Sequence, residues 1–416
     1  MKEGRKKRGR PFGPIFPRKC RVVPPCGQMA AGLFYQIMLD FLSLSKEIYG
    51  LEIADTHARM MRLARRDGGL AVAAAGFLRL PEGAVQNGEI RDEKKVAAAI
   101  AELAEKSGAG AGRAAVVSLP EDKAFWQIIK MPRLNDDELR GAVIFEAENY
   151  IPLPLDKVYL DFEAVPSSLI ENRCEVAVAA LPREIVDSRV RVCDAARLRP
   201  VAMELESQAA VRSARQNANF AWPAIIIKIG DTQSSVIFCG RDSTRAVFSV
   251  PISNAYFIEK IRAALEVDDD GAEKLKTDCG ITPAADLNAS PRGDDDGKRE
   301  KLFESLLPGL VDFAQQIKKY IRYYQEHEKS FRADELSFRK AIICGDGADL
   351  KGLDKFLSLR LGIPVERMVL PIGIEPHRFK DIDFPEKSAH GCAVAAGLAM
   401  RALAIESARR GGRPPK

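Results

Sequence analysis

Apolar residues recur along most of the chain in two patterns, one typical of strands and one typical of helices. Residues 48–55 and 59–65 are predicted as strands, and a third strand begins at residue 70, after a glycine-containing turn. Three consecutive strands joined by short turns predict an antiparallel meander at the beginning of a domain.

Helical spacing appears next. Val96, Ile100 and Leu103 lie three or four residues apart, which predicts an amphipathic helix. Asn135 with Glu138 three residues later forms a capping-box pattern and predicts the start of another helix. Further strands are predicted at 114–119, 125–131, 159–165, 174–180 and 200–205, and helices at 183–196 and 206–215. This alternation predicts a sheet covered by helices.

A second meander follows the first. Residues 225–230, 234–239 and 244–250 repeat the opening three-strand pattern, which predicts two related domains. The polar segment 288–299 is predicted as a loop. The remaining predicted elements are a long helix at 302–327, a strand at 340–344, a helix at 350–361 and a helix of small residues at 391–404.

Composition narrows the class of protein. The net charge of +5 over 416 residues is concentrated at the two ends, since residues 1–21 hold nine Lys and Arg against one Glu. Basic ends can hold phosphates or acidic lipid head groups, although disordered, solvated tails are the simpler alternative. The eight cysteines and four histidines follow no zinc-site spacing, so neither a metal site nor a catalytic residue is predicted. No 18-residue apolar stretch predicts a membrane-spanning helix.

Several segments of the chain carry a family resemblance. They are 52–59 (Glu-Ile-Ala-Asp-Thr-His-Ala-Arg), 130–134 (Lys-Met-Pro-Arg-Leu), 145–152 (Phe-Glu-Ala-Glu-Asn-Tyr-Ile-Pro), 160–162 (Leu-Asp-Phe), 272–276 (Ala-Glu-Lys-Leu-Lys) and 343–348 (Ile-Cys-Gly-Asp-Gly-Ala). With the two meanders, they make residues 38–404 resemble the PilM family of actin-like proteins, which are cytoplasmic scaffolds of the type IV pilus machine.

The resemblance implies an α/β, actin-like (ribonuclease-H-like) fold of two lobes with an inserted small α+β subdomain. The implied boundaries are a disordered basic extension or start-site artefact (1–37), lobe 1 first part (38–81), the inserted subdomain (82–163), lobe 1 continued (164–222), lobe 2 first part (223–258), its helical subdomain (259–335), its second part (336–378), a closing helix of lobe 1 (379–405) and a disordered basic tail (406–416).

The resemblance also implies partners. The expected partner is the N-terminal cytoplasmic peptide of PilN, bound at an apolar groove that involves the inserted subdomain. Pilus motor ATPases and the platform protein are further expected partners, and homo-oligomerisation is left open. The expected location is cytoplasmic and peripheral to the inner membrane, with membrane contact only through the partner. No nucleic-acid role is expected, because the basic residues lie in the ends without interleaved aromatics.

The resemblance places a nucleotide site between the lobes. Its candidate binding residues are Glu52, Asp55, Arg59, Lys228, Gly230, Thr232, Glu273, Lys276, Gly345 and Gly347. Glycine loops let backbone N–H groups approach phosphates, and carboxylates at the two phosphate loops face a magnesium ion. Glycines that form ordinary turns, and a solvated helix face for Glu273 and Lys276, are the alternative interpretations.

Two departures from the family pattern weaken the expected nucleotide site. Ala54 stands where the family has Gly, and Lys228 stands where it has Asp. Asp55 and Asp231 add negative charge, and like charges ~4 Å apart cost about 4 kcal/mol at an effective dielectric near 20. We hypothesise that Glu52 and Lys228 pair across the cleft; the alternative is that Lys228 points to solvent.

The expected function is therefore a binding scaffold and not an enzyme, with ATP bound weakly or not at all and magnesium doubtful. The alternatives are an active ATPase or sugar-kinase-like phosphotransferase on the same fold, and an FtsA-like division protein. Lys228 disfavours the first alternative, because phosphoryl transfer calls for a carboxylate there. The basic, Gly/Pro-rich end at residues 407–416 disfavours the second, because it has no apolar face for a membrane helix.

Overall fold

The computed structural model describes residues 47–66, 69–109, 113–165, 173–216, 222–240, 243–281, 295–327, 338–370, 372–373 and 390–409. The predicted basic extension and the end of the predicted basic tail lie outside the described residues. Those parts of the sequence analysis therefore stay predictions.

The secondary structure follows the predicted alternation closely. The strands are β1 Ile48–Ile53, β2 His57–Arg66, β3 Gly69–Arg79, β4 Val85–Gln86, β5 Glu89–Ile90, β6 Ala114–Leu119, β7 Phe125–Pro132, β8 Val158–Val165, β9 Arg173–Pro182, β10 Arg199–Leu205, β11 Ala224–Ile229, β12 Ser234–Cys239, β13 Thr244–Val250, β14 Ala341–Cys344, β15 Val365–Arg367 and β16 Ile372–Gly373. The helices are α1 Glu93–Lys106, α2 Asp136–Ala147, α3 Arg183–Ala195, α4 Glu206–Ala214, α5 Asn254–Leu265, α6 Asp269–Asp278, α7 Asp295–His327, α8 Leu353–Leu361 and α9 Ala393–Arg409.

Lobe 1 is built on a six-stranded mixed sheet with the order β10-β6-β1-β2-β3-β16. Successive side chains of β1 point to opposite faces, as in any strand. Tyr49, Leu51 and Ile53 pack in the core that includes α1 and α3, while Ile48 packs in the core that includes α9. Gly50 faces α9 as well, and a Cβ atom there would lie 2.4 Å from the backbone nitrogen of Ala399.

Lobe 2 is built on a five-stranded sheet with the order β13-β12-β11-β14-β15. One face of β11, formed by Ile225, Ile227 and Ile229, packs in a core with α5, α7 and α8. Ile226 on the opposite face packs with Ala210 of α4. Because Ala209 of the same helix packs in the lobe 1 core, α4 joins the two lobes through apolar contacts on both of its sides.

A third sheet has the order β7-β9-β8, and α2 covers it. This sheet forms the inserted subdomain and spans residues 125–182, which corrects the predicted boundaries of 82–163. The reason is strand pairing: β6 is buried along its whole length and pairs in parallel with β1 and β10 of lobe 1, whereas β9 pairs with both β7 and β8. An apolar strand pattern alone does not reveal which sheet the strand joins.

Smaller differences from the predictions also have local causes. Residues 295–299, which were predicted as part of a polar loop, belong to α7, so that helix begins before residue 302. Helix α9 continues to Arg409 instead of ending before a tail at 406. The capping box is confirmed, since Asn135 Oδ1 accepts from the Glu138 backbone N–H and Glu138 accepts from the Asn135 N–H. Among the described helices, none has the length and apolarity that crossing a membrane requires.

The close approach of α9 to α4 gives a stability prediction. A Cβ atom on Gly397 would lie 1.9 Å from the carbonyl oxygen of Ala209, and backbone cannot move away as a flexible side chain can. We expect Gly397→Ala to lower the free energy of unfolding by about 2–3 kcal/mol, measured by urea denaturation.

Gly141→Ala is the matched control. Gly141 lies in α2, and no heavy atom would come within 4 Å of a Cβ atom there. This variant should gain about 0.5–1 kcal/mol from helix propensity. A Gly397→Ala variant as stable as the wild type would contradict the proposed packing of the two helices.

Candidate functional site

The cleft between the lobes collects most of the predicted site residues. Its walls come from the segment after β1, the β4–β5 hairpin, the beginning of α4, β11 with the loop that follows it, and the glycine loop after β14. The enclosed space measures about 60 Å³, which at roughly 10–15 Å³ per water has room for a few water molecules. The predicted residues that line it are Glu52, Asp55, Lys228, Gly230, Thr232 and Gly345.

Arg59 lies on β2 of lobe 1 and is buried. Both of its terminal nitrogens donate to the carboxylate of Asp346, which belongs to the glycine loop of lobe 2, in a forked arrangement. Nη1 also lies 3.6 Å from Glu52 Oε2. Burial alone would lower the pKa of Arg59, but Asp346 and Glu52 raise it well above its usual range. The guanidinium is therefore charged and bridges the lobes.

His57 lies between two carboxylates of lobe 2. Its Nδ1 is 3.2 Å from Asp231 Oδ2, its Nε2 is 3.7 Å from Asp346 Oδ2, and its ring stacks on Phe77. Burial and the Arg59 charge would lower the pKa of His57, but the two aspartates raise it above 6.5 overall. Burial would raise the pKa of Asp231, but His57 and Thr56 hold it far below its usual range. The contacts with the two aspartates therefore favour the charged imidazolium form of His57.

Lys228 pairs with Glu206 and not with Glu52, which corrects the hypothesis from the sequence. Its Nζ lies 2.5 Å from Glu206 Oε2. Glu206 is the first residue of α4. The carboxylate that pairs with Lys228 therefore comes from a helix, whereas the hypothesis from the sequence placed it on β1, at Glu52. Burial would lower the pKa of Lys228, and Glu206 and then Glu52 raise it. Lys228 is 8% exposed, so the alternative that it points to solvent is also wrong.

The segment that follows β1 makes its polar contacts within the protein. Asp55 accepts from the backbone N–H groups of Asn87 and Gly88 at 2.8 Å each, and from Thr232 Oγ1 of lobe 2 at 2.9 Å. Asp231 Oδ2 accepts from both the N–H and the hydroxyl of Thr56. Hydrogen bonds between these loops therefore connect the two sides of the cleft.

Glu273 and Lys276 do not line the enclosed space. Lys276 is 1% exposed, and its Nζ donates to Asn254 Oδ1 at 2.6 Å and to the Asp346 carbonyl oxygen at 3.2 Å. It also pairs with Glu273 Oε2 at 2.5 Å, and Asn254 Nδ2 donates to Glu273. This network fastens α6 to α5 and to the loop that positions Asp346.

The glycines of lobe 2 are required by close approach. Gly345 has φ +89°, and a Cβ atom on it would lie 2.3 Å from the carbonyl oxygen of Ile229. A Cβ atom on Gly347 would lie 2.1 Å from the Ile229 side chain, and one on Gly230 would lie 2.8 Å from the Gln233 carbonyl oxygen. These contacts let the glycine loop lie directly on β11, which brings Asp346 to the cleft.

Carboxylates exceed cations around the cleft. Glu121 is buried and accepts from the Ser207 N–H, and burial raises its pKa to about 7. Burial likewise raises the pKa of Glu52, although Arg59 opposes this. His57, Asp231 and Asp346 lie close enough together to hold a metal ion. However, Asp231 Oδ2 already accepts three bonds within the protein, and Asp346 holds Arg59.

Sequence reasoning missed several residues of this site. His57 was not among the predicted site residues, and it is 4% exposed between two aspartates. A sequence pattern could have indicated Asp346 as a site residue, because it stands between two glycines after an apolar strand. No sequence pattern pointed to Glu206 or Glu121, because each is a single acidic residue at the start of a helical segment.

Comparisons with known proteins agree with the fold. Residues 50–235 match the family model of the type IV pilus assembly protein PilM. The solved PilM-PilN type IV pilus biogenesis complex contains a chain similar to this one, with a TM-score of 0.70 and 24% identity over 86% of this chain and 98% of that chain. The predicted resemblance to the PilM family and the actin-like, two-lobed α/β fold are therefore confirmed.

Two further solved structures are more distant. Ethanolamine utilization protein EutJ from Carboxydothermus hydrogenoformans has a TM-score of 0.48 and 13% identity, over 84% of this chain and 88% of that chain. MreB5 of Spiroplasma citri bound to AMPPNP has a TM-score of 0.48 and 10% identity, over 89% of this chain and all of that chain.

The raised pKa of His57 predicts how stability depends on pH. The charged imidazole stabilises the fold fully below pH 6.5, the pKa without partners, and this contribution is lost as pH rises through the raised value. Removing one partner of a buried pair costs about 3–5 kcal/mol. We therefore expect His57→Gln to be about 3 kcal/mol less stable than the wild type at pH 6, and the difference to shrink by pH 9.

Urea denaturation at both pH values measures this difference. His327→Gln is the control, because His327 is exposed at the end of α7 and should change stability by less than about 0.5 kcal/mol at either pH. A His57→Gln deficit that stays constant or grows between pH 6 and pH 9 would show that the imidazole is not charged in the fold.

Proposed function

We propose that this chain is a PilM-type scaffold of type IV pilus assembly, which binds the cytoplasmic N-terminal peptide of PilN through its inserted subdomain. We also propose that it acts at the cytoplasmic face of the inner membrane and links pilus motor ATPases to the platform protein there. The match of residues 50–235 to the PilM family and the PilM fold support this proposal.

The single observation that carries the peptide proposal is the apolar surface of the inserted subdomain. Large apolar side chains are exposed around α2, and Phe145 is 71% exposed. This α2 surface consists of Leu134, Ile144, Phe145, Tyr150 and Leu153. The other exposed large apolar residues in the described chain, Tyr323, Leu359 and Val369, lie in or beside lobe 2 elements. Concentrated apolar exposure is typical of a protein-binding surface.

Local structure explains why these side chains stay exposed. The buried face of α2, with Leu139, Val143 and Ala147, covers the β7-β9-β8 sheet and completes the subdomain core. Ile144 and Phe145 follow directly on the opposite side of the helix. Tyr150 is held beside the helix by its hydroxyl, which donates to Glu146 Oε1 at 3.3 Å. The α2 surface is thus presented on a packed, capped element.

We further propose that the cleft does not hydrolyse ATP. Support comes from Lys228, which stands where the family has a phosphate-loop carboxylate and is neutralised by Glu206. The guanidinium of Arg59 is likewise paired with the carboxylate of Asp346. A magnesium polyphosphate would have to displace these pairs and approach Glu52, Glu121 and other carboxylates. The residues present therefore do not fit that ligand.

The peptide proposal predicts a loss of binding in Phe145→Ala. Exposed aromatic anchors typically contribute about 2 kcal/mol or more to a protein contact, which is roughly thirtyfold in Kd. The measurement is isothermal titration of the full chain with a synthetic peptide of the N-terminal sequence of PilN from the same organism.

The matched control is Leu359→Ala. Leu359 is 76% exposed on α8 in lobe 2, so this variant also removes an exposed apolar side chain but leaves the α2 surface intact. We expect its peptide affinity to equal that of the wild type. Equal affinity of Phe145→Ala and the wild type would rule out the α2 surface as the binding site.

The cleft proposal predicts that Mg-ATP produces no saturable heat in calorimetry, so that any Kd is above about 1 mM. The assay should include phosphate release, with an actin-like ATPase as the positive control. Binding in the micromolar range together with turnover would instead establish the active-ATPase alternative.

A further inference from the structure

Three of the ion pairs in the cleft join side chains of opposite lobes. Arg59 and His57 lie on β2 of lobe 1, and their partners Asp346 and Asp231 follow β14 and β11 of lobe 2. Lys228 of lobe 2 pairs with Glu206, the first residue of α4 in lobe 1. We call these three pairs the interlobe clamp.

We propose that the interlobe clamp holds the two lobes closed without a nucleotide, in place of the magnesium polyphosphate for which the cleft residues are not suited. The proposal rests on the cleft alone and does not depend on peptide binding at the α2 surface. It therefore stands or falls separately from the proposed scaffold function.

Burial distinguishes the clamp from ordinary surface pairs. The Arg59 and Asp346 side chains are 3% and 20% exposed, so solvent and salt screen this pair little. Arg79 and Asp270 also face each other across the cleft, 3.3 Å apart, but they are 69% and 86% exposed. Exposed pairs of this kind contribute little to stability. The closing force is thus expected from the buried pairs.

The pairs join the two lobes at different elements. Lys228–Glu206 joins β11 to the beginning of α4, the helix whose Ala210 packs with Ile226 of β11. Arg59–Asp346 and His57–Asp231 join β2 to the loops after β14 and β11. Thr232 adds a hydrogen bond to Asp55 between the same two walls. Separation of the two lobes would break the contacts of Arg59, His57 and Thr232 together.

Contacts within each lobe also fix the positions of the side chains that form the clamp. Asp346 is held in place by the close approach of the glycine loop to Ile229 and by Lys276, which donates to its carbonyl oxygen. Glu52 of lobe 1 lies 3.6 Å from Nη1 of the same guanidinium. The guanidinium is therefore positioned by its own lobe while its fork is directed at the opposite lobe, an arrangement suited to a permanent contact.

The test measures the lobe separation directly. Arg79→Cys and Asp270→Cys place spin labels on opposite rims of the cleft, with Cys20, Cys26, Cys174 and Cys279 replaced by serine. The other cysteines, Cys193, Cys239, Cys344 and Cys392, are buried, and burial raises the pKa of each thiol to about 12, so they react slowly. Double electron–electron resonance then reports the distance distribution.

We expect one narrow distribution for this labelled parent, with no change on adding millimolar Mg-ATP. The double variant Asp231→Asn/Asp346→Asn keeps the size of both side chains and removes their charges, and it should gain a second, longer-distance population. Arg191→Ala is the control, because it removes an exposed pair with Glu93 within lobe 1 and should leave the distribution unchanged.

A charge-reversal experiment distinguishes a variant that has lost the interlobe clamp from a variant that has failed to fold. Lys228→Glu alone should produce the longer-distance population, and adding Glu206→Lys should restore the single narrow one, while circular dichroism confirms that each variant is folded. The proposal would be overturned by a parent distribution that is broad or that narrows with Mg-ATP. It would equally be overturned by folded Asp231→Asn/Asp346→Asn and Lys228→Glu variants that keep the parent distribution.

Discussion

The buried contact between Arg59 and Asp346 is the interaction on which the arrangement of the cleft depends. A guanidinium that is 3% exposed needs a counter-charge, because an unpaired buried charge costs far more than folding can supply. Lobe 1 offers Glu52 at 3.6 Å, but the forked hydrogen bonds go to lobe 2. Two halves of the molecule that are built on separate sheets are thus tied together across the cleft.

The cleft and the inserted subdomain present opposite surface chemistries. In the cleft, charged groups are turned inward and form ion pairs with each other. Around α2, apolar groups are turned outward, and Phe145 is the most exposed of them. This division suits a protein that binds other proteins more than one that turns over a small substrate, and it gives a physical reason for the scaffold proposal.

Much of the fold could be predicted because strand and helix periods are local properties. The two meanders, the capping box at Asn135 and the α/β alternation were read from residues a few positions apart, and the structure confirms them. The boundary of the inserted subdomain was wrong because strand pairing is not local: β6 joins β1 and β10, which lie far away along the chain. Of the ten predicted site residues, six line the cleft, whereas Glu273 and Lys276 lie behind the loop that carries Asp346, and the partner of Lys228 was assigned incorrectly.

The sequence by itself determined that Ala54 and Lys228 stand in the two predicted phosphate-loop segments, where the resemblance implies Gly and Asp. It also determined the resemblance to PilM, since that rests on short runs of residues. Only the tertiary structure decided the pairing: that Glu206 neutralises Lys228, that His57 lies between Asp231 and Asp346, and that Arg59 bridges the lobes. The physical reason is that charge pairing depends on distances of a few ångströms between atoms that are tens to hundreds of residues apart in the chain, and no local pattern encodes those distances.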